Sequence, residues 1–183
     1  MVGSGGGLSV LMTDYVENNG LRVPVLPREI TEQLLEFSSE AGNILRNPID
    51  YSQNMFEPSN VDRMIRIATA SPEIDLMVAY LSAGLQSSLF DRAWPQMSQT
   101  MFRMLKSCPK PAALVIESSP LSQQLALVVP FVQQLISAGL PVFFSASSAA
   151  RAINALIEDH RVRGRKGQAC AVRPQAGQAS CHS

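Results

Sequence analysis

Gly3-Ser4-Gly5-Gly6-Gly7-Leu8-Ser9-Val10 is the stretch of this 183-residue chain whose residue types most directly suggest chemistry. Four glycines and two serines run straight into an apolar segment with helical spacing. Glycine accepts backbone angles that other residues avoid, and a helix N-terminus offers unpaired N–H groups at the positive end of a dipole. Gly5, Gly6 and Gly7 are therefore candidates to cradle a phosphate or carboxylate. The same residues also suit a plain strand-to-helix turn or a flexible linker. Neither a full GxGxxG nor a GxxxxGK[ST] is present to decide between them.

Two further places could meet a ligand. In Asn47-Pro48-Ile49-Asp50 the proline keeps Asn47 out of the helical region, so Asn47 and Asp50 are displayed on a loop, as ligand contacts or as Asx-turn residues. The apolar run from Ile74 to Leu81 ends in Ser82-Ala83-Gly84, small residues at the carboxyl end of a buried strand, where backbone can approach a ligand. Glu117 and Ser145 hold equivalent strand-end positions. Glu117 reads either as a base or ligand contact, or as a solvated carboxylate or helix cap.

The elements that position these residues follow from periodicity. Leu8, Leu11, Met12 and Tyr15 share a helical face, with Tyr15 expected in the core, and Asn18-Asn19-Gly20 stops that helix. A second helix starts near Pro27 and ends before Gly42. A third starts at Ser59-Asn60-Val61-Asp62, a capping-box-like pattern, and ends at Ser71-Pro72. Strands are predicted at 74–81, 112–116 and 141–144. The helices between and after them bury Phe90, Trp94, Met97, Met101 and Met104, then Leu121, Leu125, Val128, Val132 and Leu135, then Ile153 and Ile157. Pro95 kinks its helix or sets its start. Met1-Val2 reads as the stub of a truncated first strand, so the chain reads as a fragment.

The expected fold is α/β, a flavodoxin-like three-layer α/β/α domain with a parallel sheet of four to five strands. Residues 1–163 form this domain. Residues 164–183 carry Arg165, Lys166 and Arg173 with no acid and no periodicity, and read as a disordered basic tail.

Fifteen basic residues balance fifteen acidic ones, so no global charge draws nucleic acid or an anionic membrane. No apolar run is long enough to span a membrane, and no signal peptide is visible. Cys108, Cys170 and Cys181 lack metal or disulfide spacing, which points to a reducing cytoplasm and to no metal site. Trp94 and Tyr51 lie in no flavin-binding loop.

Gly5-Gly6-Gly7-Leu8-Ser9-Val10-Leu11 with Asp14, Leu21 to Leu26, Asn47-Pro48-Ile49-Asp50, Pro72 to Val78, Ala138-Gly139-Leu140-Pro141-Val142 and Ala149-Ala150-Arg151-Ala152 together, over residues 2–161, resemble a succinyl-CoA-synthetase-like flavodoxin domain. Such domains belong to the NDP-forming acyl-CoA synthetases (acetate–CoA ligases, ADP-forming). The resemblance implies a ligase acting through an acyl phosphate and a phosphohistidine, with CoA-binding and ATP-grasp domains as partners. It also implies CoA and ATP/ADP as cofactors of the complete enzyme, none of them bound by this domain alone.

The resemblance is to the second flavodoxin-like domain, whereas the family's phosphohistidine lies in the other, within a Ser-His-Thr-Gly type motif that this chain lacks. His160 and His182 are not placed to carry phosphate, so no catalytic residue is assigned. By the same resemblance Asn47 aligns with an asparagine that helps bind the acid substrate. Ser82-Ala83-Gly84 aligns with a Gly-Gly turn, and here two glycines have become Ser82 and Ala83. The implied ligand is a small carboxylic acid or its acyl phosphate. The alternative is a free-standing flavodoxin-like module that binds a ligand or a protein without catalysis.

Overall fold

The computed structural model describes residues 1–171 apart from Ser4, Glu40, 53–56, 83–87 and 118–124. In chain order its elements are β1 (Val2–Gly3), α1 (Gly6–Asn18), α2 (Arg28–Leu35), β2 (Ile44–Leu45), β3 (Ile49–Asp50), α3 (Pro58–Ala70), β4 (Met77–Ser82), α4 (Ser88–Ser107), β5 (Ala112–Glu117), α5 (Leu125–Ser137), β6 (Val142–Phe143) and α6 (Ala146–Ala171).

The strands join one sheet in the order β2-β3-β1-β4-β5-β6. All neighbours are parallel except β2 and β3, which run antiparallel. Leaving out β2, the five parallel strands follow the order 2-1-3-4-5 of the flavodoxin-like class. The sheet thus has one strand more than the periodicity indicates, and it is not wholly parallel. Two-residue strands carry no alternation, and Pro48 makes the segment around β2 and β3 read as a loop.

Side-chain alternation along β4 explains the three layers. Ala79 and Leu81 join the core beneath α2, α3, α4 and α5, with Leu34, Met64, Trp94, Met104, Phe131 and Leu135. Val78 and Tyr80 point to the opposite face, where they meet Met12 of α1 and Ala146 and Ala149 of α6. A strand buried on both faces needs apolar side chains in both registers, which is why 76–81 lacks a polar alternation. On the first face the Trp94 and Phe131 rings meet edge to face at 5.5 Å, so the Met and aromatic stripe of α4 is core.

Several boundaries differ from expectation for local reasons. Tyr15 is 40% exposed, because α1 turns Met12 and Val16 inward instead. Helix α3 begins one residue before Ser59, with Pro58 in its first turn and Glu57 at the N-cap, and no side chain caps it. Proline fits there because its missing N–H has no partner in a first turn. Pro95 lies inside α4. Ser145 caps α6 as expected, its Oγ accepting the Ser148 N–H at 3.2 Å. Helix α6 continues to Ala171, beyond residue 163, and residues 172–183 lie outside the described part.

One core defect invites a test. Thr100 on α4 is 5% exposed, and its Oγ1 finds no hydrogen-bond partner among the described residues. Thr100→Val keeps the shape and removes the unsatisfied hydroxyl, so stability should rise by about 1 kcal/mol. Chemical denaturation checks this, and a loss of stability would contradict it.

Candidate functional site

The parallel register brings the expected residues to one edge of the sheet. Gly3 of β1 is level with Asp50 on one side and with Tyr80 on the other. Ser82 is level with Glu117. The carboxyl ends of β1, β3, β4 and β5 therefore face the same way. The strand order reverses at β1, and in sheets of this type ligands bind outside the carboxyl ends at that point. Gly3 has a steric reason to be glycine, since a Cβ there would fall within the Tyr80 ring.

The chain leaves β1 through Gly5, which has φ 105° and is the N-cap of α1. Only glycine adopts that angle without strain. Its peptide groups are held on both sides. The Gly5 N–H donates to Asp50 Oδ1 at 3.0 Å and to Ser52 Oγ at 2.8 Å. Asp50 Oδ1 also accepts the Ser52 N–H at 3.0 Å, an Asx turn, and the Ser52 hydroxyl at 2.5 Å. The Gly5 carbonyl accepts the Ser9 N–H at 2.9 Å and the Ser9 hydroxyl at 3.0 Å. Ser9 Oγ is in turn hydrogen-bonded to the Tyr80 hydroxyl.

These groups are buried: Asp50 is 4% exposed, and Ser9 and Tyr80 are at 0%. Burial pushes the Tyr80 phenol up to about 12, opposed by its bond to Ser9 and reinforced by the Asp50 charge. Burial likewise raises Tyr51, with smaller contributions from Tyr80 and Asp50. Both phenols stay neutral near pH 7, and Tyr80 acts as a hydrogen-bonding group, not as a proton carrier.

Among the described residues no side chain caps the first turn of α1 beyond Gly5, and the turn contains no acidic residue. A Cβ built on Gly7 meets nothing within 4 Å, and one on Gly6 meets Asp50 Oδ2 at 3.5 Å. The N–H groups of this turn have no partner within the helix, so they and the dipole form a donor set suited to an oxyanion. Asp50 engages Gly5, which leaves the N–H groups of Gly6, Gly7 and Leu8 without a partner among the described residues. Ser82 and Glu117 stand half-buried along the same edge, whereas Ala83 and Gly84 lie outside the described residues. Among the described residues no three His, Cys, Asp or Glu side chains group to hold a metal ion, and no helix is long and apolar enough to cross a membrane.

Asn47 is not part of this edge. It precedes β3, so it sits at the amino ends of the parallel strands, after which its peptide bond to Pro48 is cis. Its Nδ2 donates to the Pro24 carbonyl at 2.9 Å, and its Oδ1 accepts from the Met1 amino group at 2.7 Å. There it lines a cavity of about 150 Å³ together with Arg22, Asp75, Asn154 and Arg161.

Sequence reasoning overlooked Ser9, Ser52 and Tyr80. Ser9 stands four residues after Gly5, a spacing at which a helical hydroxyl reaches back to a carbonyl, and Ser52 stands two after Asp50, the Asx-turn spacing. Tyr80 left no comparable mark, because its role depends on the register of β4 against β1.

The class is now defined: a three-layer α/β/α domain of flavodoxin-like strand order, with a glycine turn opening a helix at the switch point of its sheet. Two of the solved structures that share this fold illustrate it. PH0766 from Pyrococcus horikoshii OT3 superposes with a TM-score of 0.66 at 19% identity, over 87% of this chain and 35% of its own. The dinucleotide-forming acetyl-coenzyme A synthetase 1 of Ca. Korarchaeum cryptofilum, in its apo form, superposes with a TM-score of 0.67 at 19% identity, over 93% of this chain and 35% of its own. The chain spans about a third of the length of either. No family model matches the sequence, and no curated protein does.

The position of Asn47 sets a test. Asn47→Ala removes both of its hydrogen bonds and should lower stability by about 1–2 kcal/mol while leaving the amide NMR signals of the glycine turn unchanged. Paired denaturation and amide NMR check this. Unchanged stability with shifted glycine-turn signals would contradict the placement.

Proposed function

We propose that this chain is a domain of an NDP-forming acyl-CoA synthetase and that its carboxyl edge holds phosphate or acyl-phosphate oxygens on the first turn of α1. One observation supports this above all. The Gly5 peptide is fixed by Asp50, Ser52 and Ser9, while the Gly6 and Gly7 positions that follow carry no side chain and no cap. An acyl phosphate offers several anionic oxygens to such donors, and backbone N–H groups orient them without adding a competing charge.

In this reading the domain binds and orients, and performs no covalent step. Gly6 and Gly7 donate to phosphate oxygens, Asp50 keeps the turn in place, and Ser82 borders the edge. The phosphate-carrying histidine belongs to the other flavodoxin-like domain, and CoA and ATP/ADP to the CoA-binding and ATP-grasp partners of the complete enzyme, in the cytoplasm. Exposed Leu11 and Tyr15 on α1 and Phe144 after β6 give such partners apolar surface to cover. The same surface favours the second reading, a stand-alone interaction module.

Two measurements test the proposal. The chain alone, given ATP, CoA and acetate, should form no acetyl-CoA. Acetyl phosphate should shift the amide NMR signals of Gly6 and Gly7 more than those of α3 or α5. Thioester formation by this chain alone, or unmoved Gly6 and Gly7 amides at millimolar acetyl phosphate, would refute it.

A further inference from the structure

We propose that Ser9 and Tyr80 form a positioning pair that aims the Gly6 N–H at the ligand; this rests on the reading that the first turn of α1 takes a phosphate oxygen. Covalent geometry carries the first step. The Gly5 carbonyl and the Gly6 N–H belong to one planar trans peptide and point in opposite directions. Whatever anchors the carbonyl therefore also orients the N–H. The anchor is Ser9, whose N–H and hydroxyl both reach the Gly5 oxygen, at 2.9 and 3.0 Å.

The second step concerns why Ser9 holds that rotamer. A serine hydroxyl has one donor and two acceptor sites. With its proton directed to the Gly5 carbonyl, Ser9 Oγ is free to accept from the Tyr80 hydroxyl, which is the partner it meets. Both residues are at 0% exposure, so no solvent competes for either group, and a buried hydroxyl without a partner is costly.

The third step runs back to the sheet. Within the apolar run Met77–Leu81 of β4, a phenylalanine would fill the place of Tyr80 equally well, so the hydroxyl is what needs an explanation. Gly3, level with Tyr80 in the β1–β4 ladder, leaves the space that its ring occupies. The ring lies against β1, and its hydroxyl reaches the first turn of α1. Gly3 makes room, Tyr80 holds Ser9, Ser9 holds the Gly5 carbonyl, and the Gly6 N–H points to the open edge. On the other side of Gly5, Asp50 and Ser52 fix its N–H.

The test uses inorganic phosphate, amide NMR and thermal denaturation on the whole chain, with S9A, Y80F and the double variant. Y80F preserves ring packing and serves should S9A fold poorly. The phosphate Kd should rise about three- to tenfold in each single variant. The double variant should bind no more weakly than the weaker single one, because both act through one chain of bonds. The Gly6 amide signal should move in all three. Variants that melt lower but bind phosphate as the wild type does would show a merely structural pair and overturn the inference. Should the wild type bind no phosphate, the reading of the site fails, and the pair is judged on the Gly6 amide alone. A shifted Gly6 signal with faster hydrogen exchange at the residue-9 amide, which is bonded to the Gly5 carbonyl, upholds the positioning role, and unchanged ones overturn it.

Discussion

The carboxylate of Asp50 is the fixed point of this molecule. It is almost wholly buried at the end of β3 and receives N–H groups from Gly5 and Ser52 and the hydroxyl of Ser52. Hydrogen bonds to a charged group contribute about 1.5–3 kcal/mol each, and a buried carboxylate deprived of them is strongly destabilising. The constraint therefore acts in two directions. The turn must supply its N–H groups to keep Asp50 buried, and Asp50 keeps the turn from relaxing. Strand β1 is only two residues long, so its ladder alone would hold the start of α1 weakly.

From this point the functional edge follows. The parallel register sets Gly3 beside Asp50 and Tyr80, and the reversal of strand order opens a crevice there. Because Asp50 engages Gly5, the donors left for the proposed oxyanion begin one residue later, at Gly6. An internal carboxylate beside the proposed oxyanion site sounds contradictory. Its charge, however, is compensated by the very donors it fixes, and the dipole of α1 adds to the potential at the open turn. The opposite edge differs in kind: Asn47 there spends both ends of its amide on the protein itself, beside a cavity of mixed charge.

How much of this was readable in the sequence depended on segment length. Long elements announced themselves. The apolar runs that became β4 and β5 and the stripes of α3, α4 and α5 were found because many residues repeat one period. The two-residue strands β2 and β3 have no period to find, and Pro48 disguised them. Tyr15 was misplaced because an aromatic at helical spacing looks like core, yet the sheet lies on the side of α1 that bears Met12 and Val16. At the site, Gly5, Gly6, Gly7 and Asp50 stood out by residue type. Their relation did not, since Gly5 meets Asp50 across 45 positions of sequence through strand pairing. Asn47 and Asp50 lie three residues apart, but β3 carries them to opposite edges.

The central claim is that Asp50 holds the glycine turn, and native-state amide hydrogen exchange in Asp50→Ala tests it most directly. The account expects Gly5 to lose far more protection than the amides of the β4–β5 ladder, with α1 fraying from its first turn. Equal loss across the chain, or a Gly5 amide protected as in the wild type, would contradict it.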